Sequence, residues 1–344
     1  MKKGLLFFSY LLMNCPGYAQ LSKRELNDRK TAELCGGIDS VMARKGRWKK
    51  ETDDLAFPDK TFPSSQHKFV NARADSIHSL IKEAISNLSG FEPRWQRGMR
   101  GDPYYPGGPV PYTSTSFFLE YYCNANVKKL VLGDETSNWV YVFVNQLNWF
   151  LYKADTLDIN DDGKVKTIFQ LPPKAGKLKG MTVYKLRETQ FSNSWAIIIG
   201  RDGKLPWRAI TQKQYLTGLK NQYQKQLKRF GKGTSYERDY TNKLKYINDY
   251  LQLADEQTLQ QPAIIDPKSG IWGFKGKFGD EDAGGFRLVL SAGSDKYFDK
   301  TLPRYVPQLI QLYWSHGHSL VSSHFKKQFE ENFPLEKLKA MIDK

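Results

Sequence analysis

The sequence predicts an α+β protein: a mainly antiparallel sheet with an N-terminal helix, an inserted helical hairpin and C-terminal helices. Three observations carry this. Strand-like and helix-like stretches come in blocks and do not alternate, which argues against a doubly wound parallel sheet. The gaps between successive apolar runs from 112 to 210 are too short for parallel crossovers, so an antiparallel meander is the natural arrangement. Two stripes of apolar residues at helical spacing then follow, separated by Gly231-Lys232-Gly233.

In chain order, residues 20–45 read as helix with a break at Gly36-Gly37, and 46–65 as irregular around Pro58 and Pro63. Residues 65–88 form a clearer amphipathic helix, because Phe69, Ala72, Ile77, Leu80, Ile81 and Ile85 fall near 3.6-residue spacing. Asn87-Leu88-Ser89-Gly90 stops it. Residues 91–111 carry five prolines and a Gly107-Gly108 pair and read as a long loop. Strands are expected at 113–123, 127–132, 138–145, 148–153, 164–171, 180–187, 194–200 and 204–209, each rich in Val, Ile, Tyr, Phe or Trp. Asp161-Asp162-Gly163 and Arg201-Asp202-Gly203 supply hairpin turns.

Thr211 caps the first helix of the hairpin. Tyr215, Leu216, Leu219, Tyr223, Leu227 and Phe230 form its stripe, and Tyr236, Tyr240, Leu244, Ile247 and Leu251 form the second. Residues 262–315 return to strands around a Gly-rich stretch, and 320–343 are helical, split by Pro334. This divides the chain into 1–19 (signal peptide), 20–210, the hairpin 211–257, and 258–344, which completes the fold. Strands on both sides of the hairpin leave one domain with an insertion and two domains both open.

The N-terminus has the three parts of a Sec-type export signal. Lys2 and Lys3 are the charged region, Gly4 to Met13 the short apolar region, and Gly17-Tyr18-Ala19 the small-residue cleavage site. Cys15 offers a lipidation alternative, but Asn14 is a poor residue before a lipidated cysteine. Cleavage before Gln20 leaves Cys35 and Cys123, an even pair in an oxidising compartment. If bonded, they close a long loop worth roughly 4–5 kcal/mol in the chain-entropy treatment.

A hydrophobic share of 40% over 344 residues supports a sizeable core and excludes wholesale disorder. With a mean hydropathy of −0.59, no apolar run after the leader is long enough to span a membrane. The expected location is periplasmic, outer-membrane-associated or secreted.

Several stretches together resemble a group of uncharacterised exported proteins of Bacteroidetes. They are Lys45-Gly46-Arg47-Trp48-Lys49-Lys50, the run from Leu205 to Leu216 (LPWRAITQKQYL), Leu259-Gln260-Gln261-Pro262-Ala263, and Tyr297-Phe298-Asp299-Lys300 followed by Leu302-Pro303. The resemblance spans most of the mature chain. It implies export and brings no activity, cofactor or site residue.

Four patterns invite chemistry. His316, His318 and His324 put three of the five histidines close together, and His-x-His on a strand turns both rings to one face, as hydrolytic zinc requires. Without an HExxH motif, a surface loop joining a strand to a helix is the better account. Asp158 to Gly163 matches the first half of a calcium loop, but Phe169 stands where the closing Glu belongs, so a hairpin turn is the better account. Gly270, Gly273, Gly276 and Gly279 recur every third residue without any Walker or dinucleotide pattern, and read as twisted edge strands. Asp280-Glu281-Asp282 beside them is an acidic turn. No nucleophile motif occurs, which leaves enzymatic activity and cofactors open.

The formal net charge of +16 and pI near 9.5 are the strongest physical signals. Such a protein attracts polyanions through counterion release. Export argues against nucleic acid and favours an anionic polysaccharide or another envelope component. Lys220, Lys225, Lys228 and Arg229 on the hairpin are the candidate contacts. The expectation is thus an exported, non-catalytic protein binding a polyanionic or glycan ligand. The alternatives are a metal-dependent hydrolase using the three histidines and a purely structural envelope component.

Overall fold

The computed structural model describes residues 23–55, 60–99, 107–147, 150–189, 192–230, 233–291 and 297–344; the export signal expected at 1–19 lies outside them. Helix and strand are mixed in an α+β architecture with two largely antiparallel sheets. Among the described residues no helix is long and apolar enough to cross a membrane.

Helices α1 (Lys23–Glu33) and α2 (Gly37–Met42) are separated where Gly36 and Gly37 take φ of 89° and 84°, backbone that side chains rarely adopt. Helix α3 (His67–Ala84) buries Val70, Ala74, Ile77, Ile81 and Ala84 along one face. It ends earlier than the expected Leu88.

Among the described residues the first sheet has ten strands. β1 (Lys49–Lys50) and β2 (Asp54–Leu55) both pair in parallel with β3 (Phe91–Met99). From β3 the order runs β4 (Tyr112–Asn124), β6 (Trp139–Val144), β15 (Leu309–His316), β11 (Asn193–Gly200), β10 (Met181–Glu188) and β9 (Lys174–Leu178), with β5 (Lys129–Leu132) on β4. The expected meander is corrected here: β15, from the far end of the chain, inserts between β6 and β11.

β3 lies within the stretch expected to be loop. Pro93 is tolerated because β1 starts one residue further on, with Lys49 opposite Arg94, so no parallel partner needs its missing N–H. Alternate residues Val140, Val142 and Val144, Ile197 and Ile199, and Ile310, Leu312 and Trp314 share one face. Over them pack α3, α7 (Leu320–Asn332) and α8 (Leu335–Lys339), through Val321, Phe325, Phe329, Leu335 and Leu338. A disulfide joins Cys35, in the turn after α1, to Cys123 on β4, with 5.8 Å between Cα atoms.

Among the described residues the second sheet has five strands: β12 (Trp207–Ala209), β14 (Phe286–Ser291), β8 (Lys166–Gln170), β7 (Tyr152–Leu157) and, on β14, β13 (Ile264–Ile265). Its strands are apolar on both sides. Phe169, Trp207 and Val289 meet Ala196, Ile198 and Leu309 on the other face of the first sheet. Ile168, Leu288 and Leu290 face the helical hairpin. The layers therefore run helices, first sheet, second sheet, hairpin. The edge strands expected in the Gly-rich stretch are replaced by turns. A Cβ on Gly273 would lie 1.9 Å from the Ser269 carbonyl, and Gly270, Gly276 and Gly284 take positive φ, so the chain coils tightly there.

Candidate functional site

The hairpin consists of α4 (Gln212–Phe230) and α5 (Ser235–Leu253) and is followed by the short α6 (Glu256–Leu259). Thr211 and Gln214 form a capping box: Thr211 Oγ1 accepts from the Gln214 amide at 3.2 Å, and Gln214 Oε1 accepts from the Thr211 amide at 3.2 Å. The Thr234 side chain caps α5 by accepting from the Glu237 amide. Tyr215, Leu216, Leu219 and Tyr223 are buried against the second sheet. The tyrosines also anchor the turns behind it. Tyr215 donates to the Ile271 carbonyl at 2.5 Å and Tyr223 to the Trp272 carbonyl at 2.6 Å. Burial raises both phenol pKa values, so these tyrosines serve as neutral core residues.

The opposite side of α4 is cationic. Lys225, Lys228 and Arg229 are exposed and Lys220 is half-buried. Among the described residues none of the four pairs with a carboxylate, whereas Lys213 meets Glu256 at 3.0 Å, Lys243 meets Asp239 at 2.8 Å and Lys245 meets Asp249 at 3.4 Å. Arg229 lies over the Phe230 ring at 5.4 Å, and Phe230 packs on Tyr236 at 5.3 Å. These rings are 41% and 54% exposed, so the hairpin tip combines cations with accessible aromatic surface. Lys232 lies outside the described residues.

The half calcium loop is a turn that uses its own acid. Asp158 accepts from the amides of Asp162 at 3.2 Å and Gly163 at 2.8 Å, and Asp161 accepts from Asn221 of α4 at 2.8 Å. Phe169, at the position of the missing Glu, is in β8.

The three histidines are not brought together: among the described residues no group of three or more His, Cys, Asp or Glu is placed to hold a metal. His316 is buried, donates from Nδ1 to the Gly317 carbonyl at 2.6 Å and stacks on Trp195 at 4.9 Å. His318 Nε2 lies 3.4 Å from the Thr189 carbonyl, and His324 Nε2 accepts from Gln328 at 2.9 Å. Strand β15 ends at His316 and the chain turns into α7, so the alternation that would align His316 with His318 stops two residues too soon. Burial lowers the pKa of His316 and of His324, the latter helped by the charge of Lys327.

In the acidic turn, Asp280 accepts from the Asp282 amide, while Glu281 binds Arg287 at 2.7 Å and Lys174 at 2.8 Å. Burial pushes the Glu281 carboxyl up, and the bonds from Lys174 and Arg287 outweigh it, so its pKa is lowered.

One polar cluster has no local sequence signature. The Glu120 carboxylate accepts from Ser319, Ser322 and Asn138, at the N-terminus of α7. It lies on a cleft of about 730 Å³ between α1–α2 and the sheet. The contributing residues come from three distant segments, which is why no spacing points to them.

Compared with known protein families, with curated proteins and with solved structures, the chain matches none.

Proposed function

We propose that this is an exported, non-catalytic protein of the cell envelope or its surroundings that binds a polyanionic glycan through α4. The observation carrying this reading is the row of Lys220, Lys225, Lys228 and Arg229, with no carboxylate partner among the described residues, beside the exposed Phe230 and Tyr236. Unpaired cations release a polyanion's counterions without first breaking internal ion pairs, and aromatic faces stack on sugar rings. The Cys35–Cys123 disulfide supports an oxidising compartment, as does the composition of the leader.

The test is the salt dependence of heparin binding, with heparin as a sulfated polysaccharide probe. Each cation lost should lower the slope of log affinity against log salt by about one. Replacing all four by Gln should therefore cut the slope by roughly three to four and weaken binding most at low salt. An unchanged slope and affinity would remove α4 from the function.

A further inference from the structure

The Gly-rich turns that the polyanion reading leaves unused form the wall of a second cavity. It has a volume of about 580 Å³ and is lined by Asp266, Lys268, Lys275, Lys277, Phe278 and Asp280 among others. All three lysines are exposed, and none pairs with a carboxylate among the described residues. Two aspartates line the same cavity, each with one oxygen bound by a backbone amide and its charge retained. Asp266 Oδ1 accepts from the Lys268 amide at 2.9 Å, and Asp280 Oδ1 accepts from the Asp282 amide at 2.9 Å. The nearby Glu281 is held by Lys174 and Arg287. The amides of Lys275 and Lys277 have no hydrogen-bond partner among the described residues.

The wall is anchored. The Gly279 amide donates to the Ile264 carbonyl at 2.8 Å. Phe278 packs on Phe274 at 5.1 Å and on Tyr250 of α5 at 5.4 Å. Three lysines against two aspartates leave the lining with a net charge of +1, which favours a compact anion of more than one oxygen. The volume exceeds what a bare oxyanion fills, and Phe278 offers an apolar flank.

We infer that this cavity binds an oxyanion ester carried on a sugar-sized body, a phosphorylated or sulfated sugar unit. The site uses none of the four α4 cations. It goes beyond the polyanion reading and stands or falls separately from it.

The test is calorimetric titration of the whole protein with glucose 6-phosphate, glucose 6-sulfate, inorganic phosphate and glucose. At least one ester should bind saturably and glucose should not; which ester binds more tightly identifies the group recognised. Lys268→Gln with Lys275→Gln and Lys277→Gln should weaken that binding by about tenfold or more. The α4 quadruple Gln variant should leave it unchanged. Lys277→Glu alone, a single exposed substitution, should weaken it in the same direction and guards against misfolding of the triple variant. No saturable binding of either ester, equal binding of glucose, or a triple variant within about twofold of wild type would overturn the inference. Loss in the α4 variant alone would move the ester to the hairpin and also overturn it.

Discussion

His78 makes the acid side of the stability curve a direct test of the core. It lies on α3 with 5% of its surface exposed, stacked on Trp95 at 4.0 Å and 7° and edge-on to Trp48 at 4.8 Å. Among the described residues its hydrogen-bond neighbour is the Ser116 hydroxyl, 3.5 Å from Nδ1. Burial, with a smaller contribution from the charge of Lys82, lowers its pKa from 6.5 to about 3. The unfolded chain takes up this proton near pH 6.5 and the folded chain only near pH 3. Stability from this group is therefore intact above pH 6.5 and is lost as the pH falls toward 3.

At about 1.36 kcal/mol per pKa unit the full loss is on the order of 5 kcal/mol, and between pH 7 and pH 5 it is roughly 2 kcal/mol. That window lies above the carboxylate range, so the lowered Asp53 does not contribute. Lowered His316 and His324 act in the same direction, so the informative quantity is a difference between proteins. Urea unfolding of wild type and His78→Phe at pH 7 and pH 5 supplies it. The wild type should lose roughly 2 kcal/mol more than the variant over that interval. Parallel losses would show that His78 is protonated without penalty and would refute its burial between the two tryptophans.

Two further outcomes follow from the covalent and polar ties of the fold. Cys35→Ser with Cys123→Ser opens a loop with a sequence separation of 88, so denaturation should show a loss of about 4–5 kcal/mol; a loss under about 1 kcal/mol would mean that the unfolded chain is not constrained by the bond. Asn145 is buried at φ 56°, donates to the carbonyls of Val110 and Val306 and accepts from the Gln308 amide, so Asn145→Ala should cost about 2–4 kcal/mol in the same assay, and a cost near zero would mean that water replaces all three bonds.

The elements legible in the sequence are those whose burial is one-sided and local. α3, α4 and α5 each carry a stripe that faces one partner, and the expected bounds fall within a few residues of those observed. β3 hides because its half-buried positions are charged for a reason outside the strand. Arg97 binds Asp53 at 2.6 Å and Arg94 binds Glu51 at 3.2 Å, so a strand containing Pro93 and Gly98 looks like polar loop. β9 (KAGKL) hides as an almost fully exposed edge. The split into two sheets does leave a trace: Ile197, Ile198 and Ile199 are consecutive apolar residues, a pattern of burial on both faces. What no local pattern supplies is the partner of β15, because pairing over such a distance is decided by the whole core.

Charge follows the same logic in the candidate sites. On α5 the neutralised lysines are visible in advance, since Asp239 stands four residues before Lys243 and Asp249 four after Lys245. α4 contains no Asp or Glu at all, so its cations lack intrahelical partners by sequence alone; among the described residues only Lys213 finds an acid, Glu256, from another element. The turns at 266–285 behave in the opposite way. Four acids stand among Lys268, Lys275 and Lys277 in the sequence, and composition would count the charges as cancelled. The fold binds one oxygen each of Asp266 and Asp280 to backbone amides, gives Glu281 to Lys174 and Arg287, and leaves Asp282 exposed, so the three lysines of the cavity have no carboxylate partner among the described residues. An unpaired cation is thus a property of where the neighbouring acids are spent, and that is why one basic surface of this protein could be read from its sequence and the other required its structure.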